Sequence, residues 1–209
     1  MNYLSAHEYE TYGLEATTPA ACVAAASAIV DAHCRRPTLA IMQYSERLRL
    51  MVGSNTVRLS YLPLVPLAPA ASSIISVKTR FGLPRKGECD FVDELAEAVA
   101  SAFALPGTWS GIDVSNVEIT SETGEVAFPI NALGLPYNEV EISYTAGFAE
   151  IPDSVKFACA QLVRNAQSTP ALNVRAGRLD RMQMEYFSDT LLDETICRLL
   201  APFIAQKVG

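Results

Sequence analysis

The feature that most constrains this chain is a change of period within Val140–Gln167, which reads VEISYTAGFAEIPDSVKFACAQLVRNAQ. Val140, Ile142 and Tyr144 alternate with Glu139, Glu141 and Ser143, the spacing of a strand with one buried face. Gly147 ends that alternation, because only glycine enters a positive-φ turn without steric cost. Ile151-Pro152-Asp153-Ser154 then reads as a helix start. Val155, Ala158, Cys159, Leu162, Val163 and Ala166 follow on one helical face. A β-rich region therefore hands over to a helical one here. Gly147, Pro152 and Asp153 are the turn residues expected to set the geometry between the two.

The same logic places the other elements. Ser5-Ala6-His7-Glu8 has capping-box spacing, predicting a short helix to about Tyr12 that Gly13 ends. Thr18 as cap with Pro19 at the first helical position opens a longer helix with Cys22, Val23, Ala26, Ile29, Val30 and His33 on its apolar face. Arg35 and Arg36 suit its C-terminal dipole and Pro37 stops it. Leu48, Leu50 and Val52, a Gly53-Ser54-Asn55 turn, and Val57, Leu59 and Tyr61 predict a hairpin. Leu62–Pro66 reads as an edge or linker, and Ile74–Phe81 as a strand. Asp90–Phe103 reads as a helix, and a second hairpin turns at Ser121–Gly124 between strands around Val114–Ile119 and Val126–Ile130. A last helix reopens at Asp189-Thr190 with Leu192, Ile196, Leu199, Leu200, Phe203 and Ile204 on its face, reset by Pro202. The expected class is α+β. Residues 1–44 and 149–209 supply a helical core of three main helices, and residues 45–148 an inserted antiparallel β-rich module.

Composition narrows the function. Half of the 209 residues are hydrophobic, which argues against disorder, and no apolar run is a credible membrane span or signal peptide. A cytoplasmic product is expected. The net charge of −7 disfavours general nucleic-acid wrapping. Five scattered cysteines (Cys22, Cys34, Cys89, Cys159, Cys197) fit reduced thiols better than a disulfide framework.

Catalytic raw material is thin. The two histidines, His7 and His33, have no partner at metal-ligand spacing, and His33 suits a helix end. No phosphate-binding glycine loop or nucleophile elbow occurs. The pairs Asp93-Glu94 and Asp193-Glu194 fit the opening turns of helices as solvated carboxylates. Neither enzyme activity, cofactor nor metal is expected. The most interesting charges are Arg175, Arg178 and Arg181 within Asn173–Ser188, which read as one face of a short helix or as a mobile loop. Met182, Met184, Tyr186 and Phe187 adjoin them, and these residue types favour protein interfaces. The segment is either solvated surface or an assembly element that orders against a neighbour.

The order of several motifs resembles the head–tail connector (adaptor) proteins of tailed bacteriophages and prophages. These are Tyr3-Leu4 through Glu8, the basic-ended helix Thr18–Arg36, Arg58–Leu64, Gly124–Pro129, the strand and turn Val140–Pro152, and Leu199–Phe203. The long middle, Gly82–Gly111, departs from the smallest connectors. The resemblance implies a non-enzymatic virion subunit at the head–tail junction. It would form a ring, usually twelvefold, beneath the portal protein, extend the DNA channel without sequence-specific binding, and dock the next neck or tail completion protein. A rival reading is a carbohydrate- or peptide-binding module presenting Trp109 and Tyr137. A second, an enzyme of unrecognised class, is disfavoured by the scarcity of histidine and the missing nucleophile motif.

Overall fold

The computed structural model describes residues 2–51, 54–66, 72–81, 98–99, 101–103, 107–129, 137–168, 176–179, 182–185 and 191–206, the backbone alone for 176–179 and 182–185. It is a mixed α+β protein. Three helices are described, α1 (Ala20–His33), α2 (Asp153–Ser168) and α3 (Glu194–Leu200), together with nine strands in antiparallel sheets. The chain divides into two compact units, Met1–Leu39 with Ala149–Ala205, and Ala40–Phe148 with Gln206–Gly209.

In the first unit α2 packs against both α1 and α3. Val155, Ala158, Cys159, Ala160, Leu162 and Val163 of α2 are buried, as the helical period requires, whereas Ala166 is exposed. From α1 come Val23, Ala26, Ser27 and Val30; from α3, Ile196 and Leu200. Each buried Val, Leu or Ile contributes about 1.5–3 kcal/mol. The predicted caps need correction. Pro19 is the N-cap of α1 and Thr18 does not cap it, its hydroxyl being buried without a partner. The last helix starts at Glu194, with Asp193 Oδ1 accepting the Ile196 N–H at 2.8 Å, and the Asp189-Thr190 pair expected to open it lies outside the described residues. Pro202 ends α3 at Leu200, and Ala201–Phe203 continues as a 3-10 turn. The N-terminal helix is two such turns, Ala6–Glu8 and Glu10–Tyr12, closed by left-handed Gly13. At the end of α1, Arg35 takes the left-handed position (φ 56°) usual for glycine. The Arg35 N–H reaches Ala32 O at 3.2 Å and the Arg36 N–H reaches Asp31 O at 3.2 Å, closing a Schellman motif.

In the second unit β1 (Met42–Arg49), β7 (Glu139–Ala146), β3 (Ile74–Arg80) and β4 (Trp109–Ile112) form one sheet in the order β1-β7-β3-β4. The second sheet runs β2 (Thr56–Arg58), β6 (Glu125–Ala127), β5 (Glu118–Thr120). The expected Ser45–Tyr61 hairpin is thus not formed. β1 begins at Met42 and pairs along its whole length with β7, while β2 pairs with β6. The long alternating partner outweighs the local turn signal, since register follows the buried face. The hairpin at Ser121–Gly124 does form, with Gly124 at φ 69°. Of the expected Asp90–Phe103 helix, only its end lies within the described residues, where the Phe103 N–H donates to Val99 O at 3.2 Å.

Inward residues of both sheets share one core, including Tyr44, Val57, Val77, Val126, Val140, Ile142 and Tyr144. Tyr144 is fully buried; its hydroxyl donates to Glu46 Oε1 at 2.9 Å and accepts the Tyr61 N–H at 3.2 Å. Burial, then the neighbouring Glu46 carboxylate, pushes its ionisation far above the phenolic range. Tyr61 stacks on Tyr44 with ring centroids 4.0 Å apart, fixing the extended chain after β2 over the sheet.

Beyond β7, Gly147 has φ 130°, and a Cβ there would stand 2.3 Å from the Ala40 carbonyl oxygen and 2.8 Å from Ile41 Cα. Backbone atoms cannot yield as side chains do. Gly147→Val should therefore lose about 3 kcal/mol or more in a denaturant melt, and wild-type stability would contradict this geometry.

Candidate interaction surface

Alternation along the strands of the larger sheet sends its charged residues away from the core. Register then aligns them in two rows that cross all four strands. One row is Arg49, Glu139, Arg80, Trp109; the next is Arg47, Glu141, Lys78, Gly111. A third, Ser45, Ser143, Ser76, is a strip of hydroxyls. Opposite charges directly across a sheet favour this register over a slipped one.

Glu139 holds the array together. Its Oε2 accepts from Arg80 Nε at 2.6 Å and lies 2.6 Å from Arg80 Nη2 and 3.2 Å from Arg47 Nη2. Lys78 Nζ stands 3.7 Å from Glu141. Both the Arg47 and Arg80 guanidiniums lie 4.8 Å from the centre of the Trp109 ring. Cations on an indole face gain from its quadrupole, and the flat groups restrain one another. Among the described residues, four cations against two carboxylates leave the face positive, so it is suited to bind and orient an anionic group.

Among the described residues no other cluster offers chemistry. No group of three or more His, Cys, Asp or Glu residues is placed to hold a metal ion. The Tyr3 hydroxyl donates to Asp31 and accepts the Leu39 N–H at 2.8 Å, and the Ser27 hydroxyl accepts the Tyr3 N–H at 3.1 Å. This ties the N-terminal segment to α1. Burial lifts Asp31 above its usual range although the Tyr3 hydrogen bond opposes it. Burial also raises the Cys34 thiol to about 11 and pushes Cys159 upward, so both stay protonated and unreactive near neutrality. No helix of the described residues is long and apolar enough to cross a membrane.

The residues singled out from sequence fall in separate places. Gly147 lies in the turn after β7. The Pro152 carbonyl accepts the Val155 N–H at 3.0 Å, opening α2, and Asp153 accepts the Tyr12 hydroxyl at 2.6 Å. Around Arg178, the one arginine of the cluster within the described residues, the backbone is neither short helix nor loop. It is an antiparallel pair, β8 (Ala176–Leu179) and β9 (Met182–Glu185), with Arg178 opposite Gln183, Leu179 opposite Met182 and Gly177 opposite Met184. Met182-Gln183-Met184-Glu185 carries a period of two that four residues make easy to miss. Arg175, Arg181, Tyr186 and Phe187 lie outside the described residues. Trp109 is covered by guanidiniums and Tyr137 packs against the core, so neither stands as an open aromatic platform.

Sequence reading named Trp109 but missed Arg47, Lys78, Arg80 and Glu139 as a set. The signal was there, since R-L-R, K-T-R and E-V-E each alternate charge with an inward residue. Only the strand order brings them together. No protein-family model matches the chain, and no curated protein matches it.

Two ion-pair predictions follow from this geometry and from the N-terminal turn. Glu139→Ala removes the shared acceptor of two arginines and should lower stability by about 1 kcal/mol while shifting the emission of Trp109, the chain's one tryptophan. Unchanged emission would mean that the arginines do not depend on Glu139. In the first unit, Glu8 accepts from Lys156 Nζ at 2.6 Å and from the Ser5 N–H at 2.9 Å. These bonds, that of Lys156 foremost, depress its carboxyl from 4.5 to about 2. A depressed folded value stabilises above the unfolded value and is lost as pH falls, so Glu8 contributes fully above about 4.5 and progressively less toward 2. Glu8→Gln should flatten stability against pH in that window, measured by thermal melts.

Proposed function

We propose that this chain is the subunit of a phage or prophage head–tail connector. In this reading the helical segments from both ends of the chain make a core, and the β-rich middle is a module inserted in it. Subunits close into a ring, twelvefold in the particle, beneath the portal protein. The ring extends the DNA channel without sequence-specific contacts and receives the next neck or tail completion protein. Its place is the neck of the virion, reached from the host cytoplasm where assembly occurs, with no enzyme activity, metal or cofactor.

The observation that carries this reading is the Tyr144–Phe148 turn, the centre of the resemblance. Its tyrosine is buried and hydrogen-bonded to Glu46, and its glycine occupies a position with no room for a Cβ. These residue types are thus demanded by geometry at the point where strand gives way to helix. The overall acidity also suits a channel that must release the phosphates it passes. The assembly segment is taken to be the arginine and methionine hairpin with its flanks, Arg175, Arg178, Arg181, Met182, Met184, Tyr186 and Phe187. A carbohydrate- or peptide-binding module is the poorer reading, because both candidate aromatics are occupied.

Deleting the gene in a lysogen should leave DNA-filled heads without tails in negative-stain micrographs, restored by expression in trans. Normal tailed particles from the deletion strain would overturn the proposal.

A further inference from the structure

The second unit carries opposite charge on the outward faces of its two sheets. Around a shared core, the larger sheet turns Arg47, Arg49, Lys78 and Arg80 outward against Glu139 and Glu141. The smaller sheet turns Glu118 and Glu125 outward, with Glu122 in the adjoining turn, against Arg58. Arg47 and Lys78 are about half exposed, and Glu118, Glu122 and Glu125 are all exposed. Arg58 does not neutralise the acidic face, being one cation against three carboxylates, with its Nε donating to Thr123 O at 3.1 Å.

We propose that these two faces bind one another head to tail, the basic face of one copy meeting the acidic face of the next. A second copy is favoured over a nucleic acid because Glu139 and Glu141 are interleaved with the cations and would repel a continuous run of phosphates, whereas another copy brings an acidic patch of similar size that holds a cation of its own, Arg58. The basic face also holds a residue type that anchors protein contacts, arginine, with Arg47 and Arg80 already restrained by Glu139. Two different faces on one subunit make the contact heterologous, so it propagates until it closes. The inference names a lateral surface for the ring subunit and in that respect rests on the connector reading, but the association belongs to the purified chain and is measured without phage.

Sedimentation velocity of the full chain should show concentration-dependent association, weakened about tenfold or more when sodium chloride rises from about 0.05 M to about 0.5 M. Trp109 emission should change over the same dilution range. The decisive arm uses two variants, Arg47→Glu with Lys78→Glu, and Glu118→Lys with Glu125→Lys, each checked for native near-UV circular dichroism. Each alone should be monomeric. Mixed in equal amounts they should associate again, because the intact faces still match and the two reversed faces now carry opposite charge to one another. If a reversal variant does not fold, the neutral Lys78→Gln and Glu122→Gln take its place, each expected to weaken association severalfold. A wild-type chain that stays monomeric at low salt, variants that associate like wild type, or a mixture that stays monomeric would each overturn the proposal. So would salt-sensitive retention on DNA by a monomeric wild type, which would assign the basic face to phosphodiesters. Tailless particles from the deletion strain alongside any of these results would leave the connector reading standing and remove only this contact. Normal particles alongside salt-sensitive self-association would do the reverse.

Discussion

Strand β7 is the element on which the second unit depends. It is paired on both sides, to β1 and to β3, so its backbone is satisfied by neighbours and not by water. Its inward residues Val140, Ile142, Tyr144 and Ala146 are completely buried, and its outward Glu139 and Glu141 stand between cations from both neighbours. One eight-residue strand thus sets the core and the charged face together. A slip of one residue would send carboxylates into the core and valine and isoleucine into water, which is why the register admits no alternative.

That strand was the most legible part of the sequence, for the same reason. A long, strict alternation bounded by glycine leaves little freedom, and the helical period after Pro152 is equally clear. The helix faces through Val23, Val30, Leu162 and Ile196 could be read because burial follows periodicity. Pairing could not be read. Gly53-Ser54-Asn55 looks like a hairpin turn, but a local turn contributes less than eight residues of β1 gain by lying along β7. The β8–β9 pair was missed because four-residue strands hold too few positions to establish a period.

The charged face failed to emerge for a related reason. Arg47, Arg80, Glu139 and Trp109 are scattered over 93 residues of sequence and meet only through strand order. Each alone looks like an ordinary solvated position. The network is a property of topology, and topology is what sequence patterns specify least. The same holds in the first unit, where Tyr3 closes over Asp31 and the Leu39 N–H from positions far along the chain.

The close approach at Gly147 has a consequence for how the chain can change over time. Ala40 and Phe148, the two ends of the second unit's main segment, are joined by a bridge, and Gly147 N–H is held by Pro63 O at 3.0 Å. Whatever lies between those ends begins and finishes at one place. Lengthening or shortening a surface loop inside that segment alters closure entropy only logarithmically, by about 0.6 kcal/mol per doubling, while the fastened ends stay put. The surface loops of that segment are therefore free to diverge in length, while the residues at its neck must keep the ends fastened.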